Sequence, residues 1–425
     1  MNRTYSIWST SALFLLPALC MVLRSGYAYG CSILILASVF HIKVWREHRI
    51  MPKHGWLLYG SFVYIALVWF LSDWLSSRGA RSFDYPIRIL FTLPCMWYLL
   101  VSKPKADWLW RGIAVGLVAS FIYAAYQFFV LKTRASAAIS IIHFGDFALM
   151  FACMALCAWN WPTQKPKLWR TGIFVVFIMG LLASVFSGTR GAWLAFLLLV
   201  VVYCGYSLFT RKIMFKYFFA GMLACCLTLY SLYAIPQLHL GERVREAHDE
   251  VVLYIKEGKA NTSVGSRLQM WEFAWDLYKK KPMFGWTYRG YILEQEQRVA
   301  EKKMDPMMLL MYHPHNELLN LAAKTGTLGV IAMLSVYCVS FLTFLRWFKN
   351  GFGNLRLRAL SSAGMLMPLV CFGFGLVDAF FAHTSTATVY CYMLILLWGA
   401  CIAEESKING LTAEAISIEK QLGKR

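Results

Sequence analysis

The chain has 425 residues, of which 59% are hydrophobic and only 15% charged, and it carries a net charge of +20. Soluble domains run at about 45–50% apolar and about 25% charged, so a soluble core of ordinary size is excluded and lipid must cover the excess. The cations lie in short loops between apolar runs, a pattern of membrane orientation rather than of nucleic-acid binding.

A hydrocarbon core of about 30 Å takes roughly 17–25 apolar helical residues. Runs of this kind predict twelve spans, at 7–23, 26–44, 56–73, 87–101, 112–131, 139–160, 171–187, 193–209, 217–235, 327–345, 359–381 and 385–402. The first ends at Arg24 without a small-residue cleavage pattern, so it reads as a retained helix. All twelve cysteines fall inside apolar runs without metal-ligand spacing and read as small hydrophobes.

Twelve spans put both termini on one side. The loops of that parity, Trp45–Gly55, Ser102–Arg111, Trp161–Arg170, Thr210–Lys216 and Arg346–Arg358, each hold three or four cations, whereas those of the other parity hold fewer. Both termini are therefore expected to be cytoplasmic. The expected organisation is spans one to nine over 1–235, an outer loop domain over 236–326, spans ten to twelve over 327–402 and a cytoplasmic tail over 403–425.

The segment Pro236–Gly326 holds 13 Lys and Arg against 12 Asp and Glu, which suits a folded extramembrane unit. Helices are expected at Glu242–Glu257, at Ser266–Lys280 and from Asn316 to Lys324 with a stop at Gly326. The second aligns Leu268, Trp271, Trp275 and Tyr278 on one face. That periodicity fits helices lying on the membrane bundle and helices packed on one another equally well.

The chain has no Walker-type phosphate loop, H-E-x-x-H, D-x-D or G-x-S-x-G motif, so chemistry must come from single residues. Asp146, beside His143, is an intramembrane carboxylate. Ser187-Gly188-Thr189-Arg190-Gly191-Ala192-Trp193 holds one arginine in a tight turn, as a phosphate ligand or a snorkelling side chain. In Gly265-Ser266-Arg267 a cation in a first helical turn opposes the dipole unless an anion binds there; a solvated surface arginine is the other reading. His313-Pro314-His315-Asn316-Glu317 puts His315 before a helix that Asn316 would cap, where it suits proton transfer, though incidental histidines at a capped start fit as well. The His-x-His spacing alone is a weak metal signal. Asp378, near the end of the eleventh span, needs a partner such as an arginine or His315, in a site or in a structural ion pair. Two arginines suit a diphosphate, because guanidinium forks bind its oxygens bidentately and stay charged.

The S-G-T-R-G-A-W turn, the S-x-G-S-R-L-x-x-W-E-x-A loop helix and the H-x-H-N-E-L-L-x-x-x-x-x-x-G-x-L-G segment resemble the O-antigen ligase/polymerase superfamily. Among its members the chain is most similar, over essentially its whole length, to lipid A-core:O-antigen ligases. The resemblance implies an all-α polytopic membrane glycosyltransferase, C-type in fold, with about twelve transmembrane helices and one large helical periplasmic loop. It implies a donor of undecaprenyl-diphosphate-linked O-antigen, a sugar hydroxyl of lipid A-core as acceptor, membrane lipids as surroundings, and neither cofactor, metal nor nucleic acid. Arg190 and Arg267 would hold the diphosphate, His315 would activate the acceptor hydroxyl and Asp378 would orient or charge-balance the site, in the periplasm-facing half of an inner-membrane protein. The outer cations Arg78, Arg81, Lys132 and Arg134 would meet acceptor phosphates. A short tail and the lack of a second large outer loop favour ligase. An O-antigen polymerase or another lipid-linked glycan transferase is the alternative, and a transporter of lipid-linked glycans a further one, although inverted repeats and broken mid-membrane helices are not seen.

Overall fold

The computed structural model describes residues 3–47, 51–77, 79–189, 191–197, 200, 240–351 and 353–422. Among them the regular structure is helical throughout. Helices α1 (Arg3–Leu19), α2 (Tyr27–Phe40), α3 (Ile42–Glu47) and α4 (Lys53–Leu75) come first, followed by α5 (Asp84–Leu90), α6 (Thr92–Ser102) and α7 (Asp107–Ala125). Next are α8 (Ile141–Cys157) and α9 (Pro166–Ser187), then the loop helices α10 (Leu240–Glu257), α11 (Ser263–Lys280) and α12 (Thr287–Ala300). The chain closes with α13 (Glu317–Asn350), α14 (Leu355–Gly375) and α15 (Thr384–Leu422).

Seven described segments are long and apolar enough to cross a membrane: Lys53–Leu75, Asp84–Ser102, Asp107–Val130, Pro166–Ser187, Glu317–Asn350, Leu355–Gly375 and Thr384–Ile408. Helices α1, α2 and α8 are apolar but shorter. The described residues are all-helical in their regular structure, as in a multi-pass membrane protein. The expected ninth span, most of the eighth and the basic loop Thr210–Lys216 lie outside the described residues.

Burial sorts the helices by position. The membrane-length part of α15 is almost wholly buried, whereas α7 and α9 leave much of their apolar surface uncovered, as lipid-facing helices do. Small residues let neighbours approach closely. A Cβ on Gly112 or Gly116 of α7 would run into the Phe14 and Pro17 carbonyls of α1. At one end of the bundle Arg356 bonds Asp107 at 3.0 Å and faces Glu404 at 3.9 Å, while the Trp161 indole donates to Asp107 at 2.9 Å. Three of the segments expected to be cytoplasmic therefore converge there with the end of the membrane-length part of the last helix. The histidines and arginines considered below gather where α9 ends and α15 begins.

The loop helices pack on one another and on the start of α13. Met270, Phe273, Ala274 and Leu277 of α11 are buried with Tyr291, Met304, Met308 and Ala323. This corrects the expected stripe: the face of α11 that is buried is the Met270–Phe273–Leu277 face, and Trp275 remains 50% exposed. Helix α11 also begins at Ser263, where Thr262 caps it by accepting from Gly265 N at 3.0 Å, so Arg267 sits past the first turn and the dipole argument for it weakens. Helix α12 was not expected. The Asn316–Lys324 helix and the tenth span form one run kinked at Gly326 (φ +66°, ψ −161°), and the final helix continues past residue 402 to Leu422.

The kink is a clamp. Thr327 N donates to Pro282 O at 2.7 Å and Trp286 N to Ala323 O at 2.9 Å, joining the segment after α11 to α13. Gly285 and Gly326, both at φ +66°, lie so close to the facing backbone that neither has room for a Cβ.

Candidate active site

The site is assembled from short segments at helix ends. The first is the turn after α9, where Gly188 takes φ +66° as the helix terminates. Thr189 Oγ1 donates to Ile141 O at 3.1 Å, which ties this turn to the start of α8. Gly145 of α8 is so close to Ser187 and Thr189 that a side chain there would collide with both hydroxyls. Arg134, on the segment before α8, donates Nε to Ser187 O at 2.8 Å and Nη2 to Gly188 O at 3.2 Å.

The second segment holds the histidine motif. His315 takes φ +47°, a left-handed conformation that costs a side-chain-bearing residue energy and must be imposed by its surroundings. Its neighbours supply the restraint. The Trp271 indole donates to Pro314 O at 2.8 Å, and Asn316 caps α13 by accepting from Leu319 N at 3.0 Å. Asn316 Nδ2 donates to Leu376 O at 3.1 Å, and Glu317 Oε2 accepts from Phe381 N at 2.7 Å. Trp271 thus holds Pro314 to α11, and Asn316 and Glu317 fasten the start of α13 to the loop between α14 and α15.

That loop carries Asp378, buried and 3.1 Å from His315 Nδ1 through Oδ1. A carboxylate accepts, so the His315 proton is held on Nδ1 and Nε2 is left as the basic nitrogen. The other carboxylate oxygen, Oδ2, makes no hydrogen bond among the described residues and lies 3.7 Å from His143 Nε2. Burial pushes the Asp378 carboxyl up, but the imidazoles of His143 and His315 outweigh it and hold the group well below the usual carboxylate range. It is an anion among imidazoles.

Four histidines surround this aspartate. His143 meets His383 edge-on at 4.4 Å between ring centres, and His313 meets His315 at 4.6 Å and His383 at 5.4 Å. Burial, then the charge of His315, pushes His313 down to about 3, and burial, then His143, pushes His383 down to about 4. Both are neutral imidazoles near neutral pH. A cavity of about 360 Å³ opens beside them, lined by Arg134, Asp146, Thr189, Gly191, Arg267 and Asp378 among others.

The structure thus brings Arg267 and Asp378 to one cavity and pairs Asp378 with His315. Arg190 lies outside the described residues, although its chain neighbours Thr189 and Gly191 both line the cavity. Arg78 lies outside them as well. Arg134, grouped by sequence with the acceptor-facing cations, lines the Arg267 cavity instead. Sequence reasoning gave no role to His383, and it noted His143 only as the neighbour of Asp146. Neither histidine belongs to a motif; the contact from His143 to Asp378 spans 235 positions and carries no local signal.

A multi-pass membrane protein with a cationic cavity beside a histidine–aspartate pair at its helix ends is the class that fold and site define. Within it, residues 174–334 match the family described as O-antigen ligase. The superfamily that the motifs resemble is therefore the one that the family comparison finds, and it implies glycosyl transfer of the O-antigen ligase or polymerase type. All three motifs fall inside the matched range; Arg134 and Asp378 lie outside it. An uncharacterized protein of Haemophilus influenzae is similar across 92% of this chain and 96% of its own length, at 24% identity.

Proposed function

We propose that the protein transfers O-antigen from undecaprenyl diphosphate onto a sugar hydroxyl of lipid A-core at the periplasmic face of the inner membrane. The observation that carries this reading is the His315–Asp378 pair at the edge of a cavity that Arg267 and Arg134 also line. Arg267, Arg190 and Arg134 hold the donor diphosphate, whose negative charge grows as the sugar–phosphate bond breaks; fixed guanidinium groups stabilise that charge where it develops. His315 Nε2 takes the proton of the acceptor hydroxyl as its oxygen attacks the anomeric carbon. Asp378 stabilises the imidazolium that results. Bond formation to the acceptor and departure of the undecaprenyl diphosphate balance the reaction, and the arginines stand where other transferases use a metal. The convergence of the basic segments at the opposite end of the bundle supports placing the site outside and both termini in the cytoplasm.

Reconstitution tests it. Purified protein, lipid-diphosphate O-antigen and rough lipopolysaccharide are combined in vesicles containing EDTA, with elongated lipopolysaccharide as the readout. The wild type should transfer despite the chelator, and His315→Ala should transfer about 10²–10⁴-fold more slowly. Near-wild-type transfer by the variant would refute the base, and loss of wild-type transfer with EDTA would refute metal independence.

A further inference from the structure

The proposed transfer moves no proton through His143 or His383, yet these two imidazoles converge with the second oxygen of Asp378. Each of the three residues brings one ligating atom within 4.8 Å of the others. Asp378 is 3% exposed, and its Oδ2 is a buried oxygen without a hydrogen-bond donor among the described residues, 3.7 Å from His143 Nε2. In a tetrahedral zinc site the bonds are about 2.0–2.2 Å, which puts neighbouring ligand atoms roughly 3.4 Å apart. The Asp378–His143 edge is already close to that spacing. His383 stands on the short connection before α15, with its ring centre 4.4 Å from that of His143.

We propose that His143, His383 and Asp378 form an inhibitory site for a zinc-type dication. Two imidazoles and one carboxylate are a ligand set suited to Zn²⁺, with a fourth position open to water or to the adjoining cavity. Occupancy leaves the Oδ1 contact to His315 in place but reverses its electrostatics. A dication on the far oxygen cancels the negative charge that stabilises the His315 imidazolium, so the proton transfer that charges His315 is opposed. The metal would therefore slow transfer without entering the reaction. This second half rests on the function proposed above; the binding half does not.

Cobalt(II), whose visible bands report ligand number and geometry, gives a readout independent of activity. Full-length protein in detergent should develop a four-coordinate spectrum that saturates at one Co²⁺ per chain and is displaced by Zn²⁺. His383→Ala and His383→Gln should lose the spectrum, and His313→Ala should keep it. In vesicles, saturating Zn²⁺ should slow wild-type transfer at least tenfold, while His383→Gln should transfer at about the wild-type rate with or without Zn²⁺. Absence of a stoichiometric spectrum in the wild type, or its persistence in both His383 variants, overturns the site. Stoichiometric zinc that leaves wild-type transfer unchanged overturns the inhibitory role. Failure of the transfer assay in every variant would count against the proposed function and leave the cobalt result standing.

Discussion

An imidazole acts as a base only while one ring nitrogen is kept as an acceptor, and at His315 a single buried carboxylate oxygen, 3.1 Å away, does this. Asp378→Asn keeps the shape and can keep one hydrogen bond to the ring, but it removes the charge that favours the imidazolium. For that variant we expect kcat to fall on the order of 10²–10⁴-fold with the KM for the lipid donor unchanged, measured in the reconstituted system. A purely structural carboxylate would instead lower the amount of folded protein and leave the kcat of the remainder near wild type. His315 was legible in the sequence because Pro314 and Asn316 flank it with local punctuation, and a carboxylate partner for it was legible because an aspartate in an apolar run needs one. His383 was not. Nothing within a few positions of it in Phe380-Phe381-Ala382-His383-Thr384 distinguishes it from a histidine at an ordinary loop end, and only the fold brings it against His143.

The helices themselves were readable where an apolar run is long, and less so where polar helices pack on each other. Span-length runs predicted α4, α7 and α9 to within several residues, because length and hydropathy are set by the bilayer rather than by neighbours. In the outer unit the period of 3–4 holds for α11, but the face packed on the other loop helices is Met270, Phe273 and Leu277 against Tyr291 rather than the Leu268–Trp271–Trp275–Tyr278 stripe. The stop expected at Gly326 is a kink, because the backbone clamp from Pro282 to Trp286 redirects the helix there. Gly326→Ala should thus destabilise the protein by about 1–3 kcal/mol through its φ of +66° alone, with a further cost from collision with the Met283 backbone. Gly172→Ala, in open space within α9, is the matched control and should be neutral or slightly stabilising. Thermal unfolding in detergent reads both; equal Tm values for the two variants would count against the clamp.

For the molecule as a whole, orientation decides which substrates the cavity can meet. Cysteines introduced at Lys259 and Lys302 should react with an impermeant thiol reagent in spheroplasts, and one at Lys420 should not. The reverse pattern would turn Arg267 and His315 toward the cytoplasm and remove the translocated glycan as donor. Choice of acceptor is the remaining whole-molecule property. Ligase and polymerase break the same sugar–diphosphate bond, so the same cations and the same base serve both, and the cavity chemistry does not separate them. They differ in the second substrate, since a polymerase accepts another lipid-diphosphate glycan and a ligase accepts a bulkier, phosphorylated, several-chain glycolipid. Such an acceptor needs outward cations beyond those that hold the donor. With Arg134 lining the Arg267 cavity, we propose Arg78, Arg81 and Lys132 for that task. The cellular consequence is direct. Deleting a ligase leaves bare core lipopolysaccharide while full-length polymer accumulates on its carrier lipid; deleting a polymerase leaves core capped with one repeat unit. We expect the first pattern on a lipopolysaccharide gel, together with carrier-linked polymer in the lipid extract. A ladder collapsed to a single repeat on the core would instead assign the acceptor to the lipid-diphosphate class, with His315 and the arginines keeping their roles.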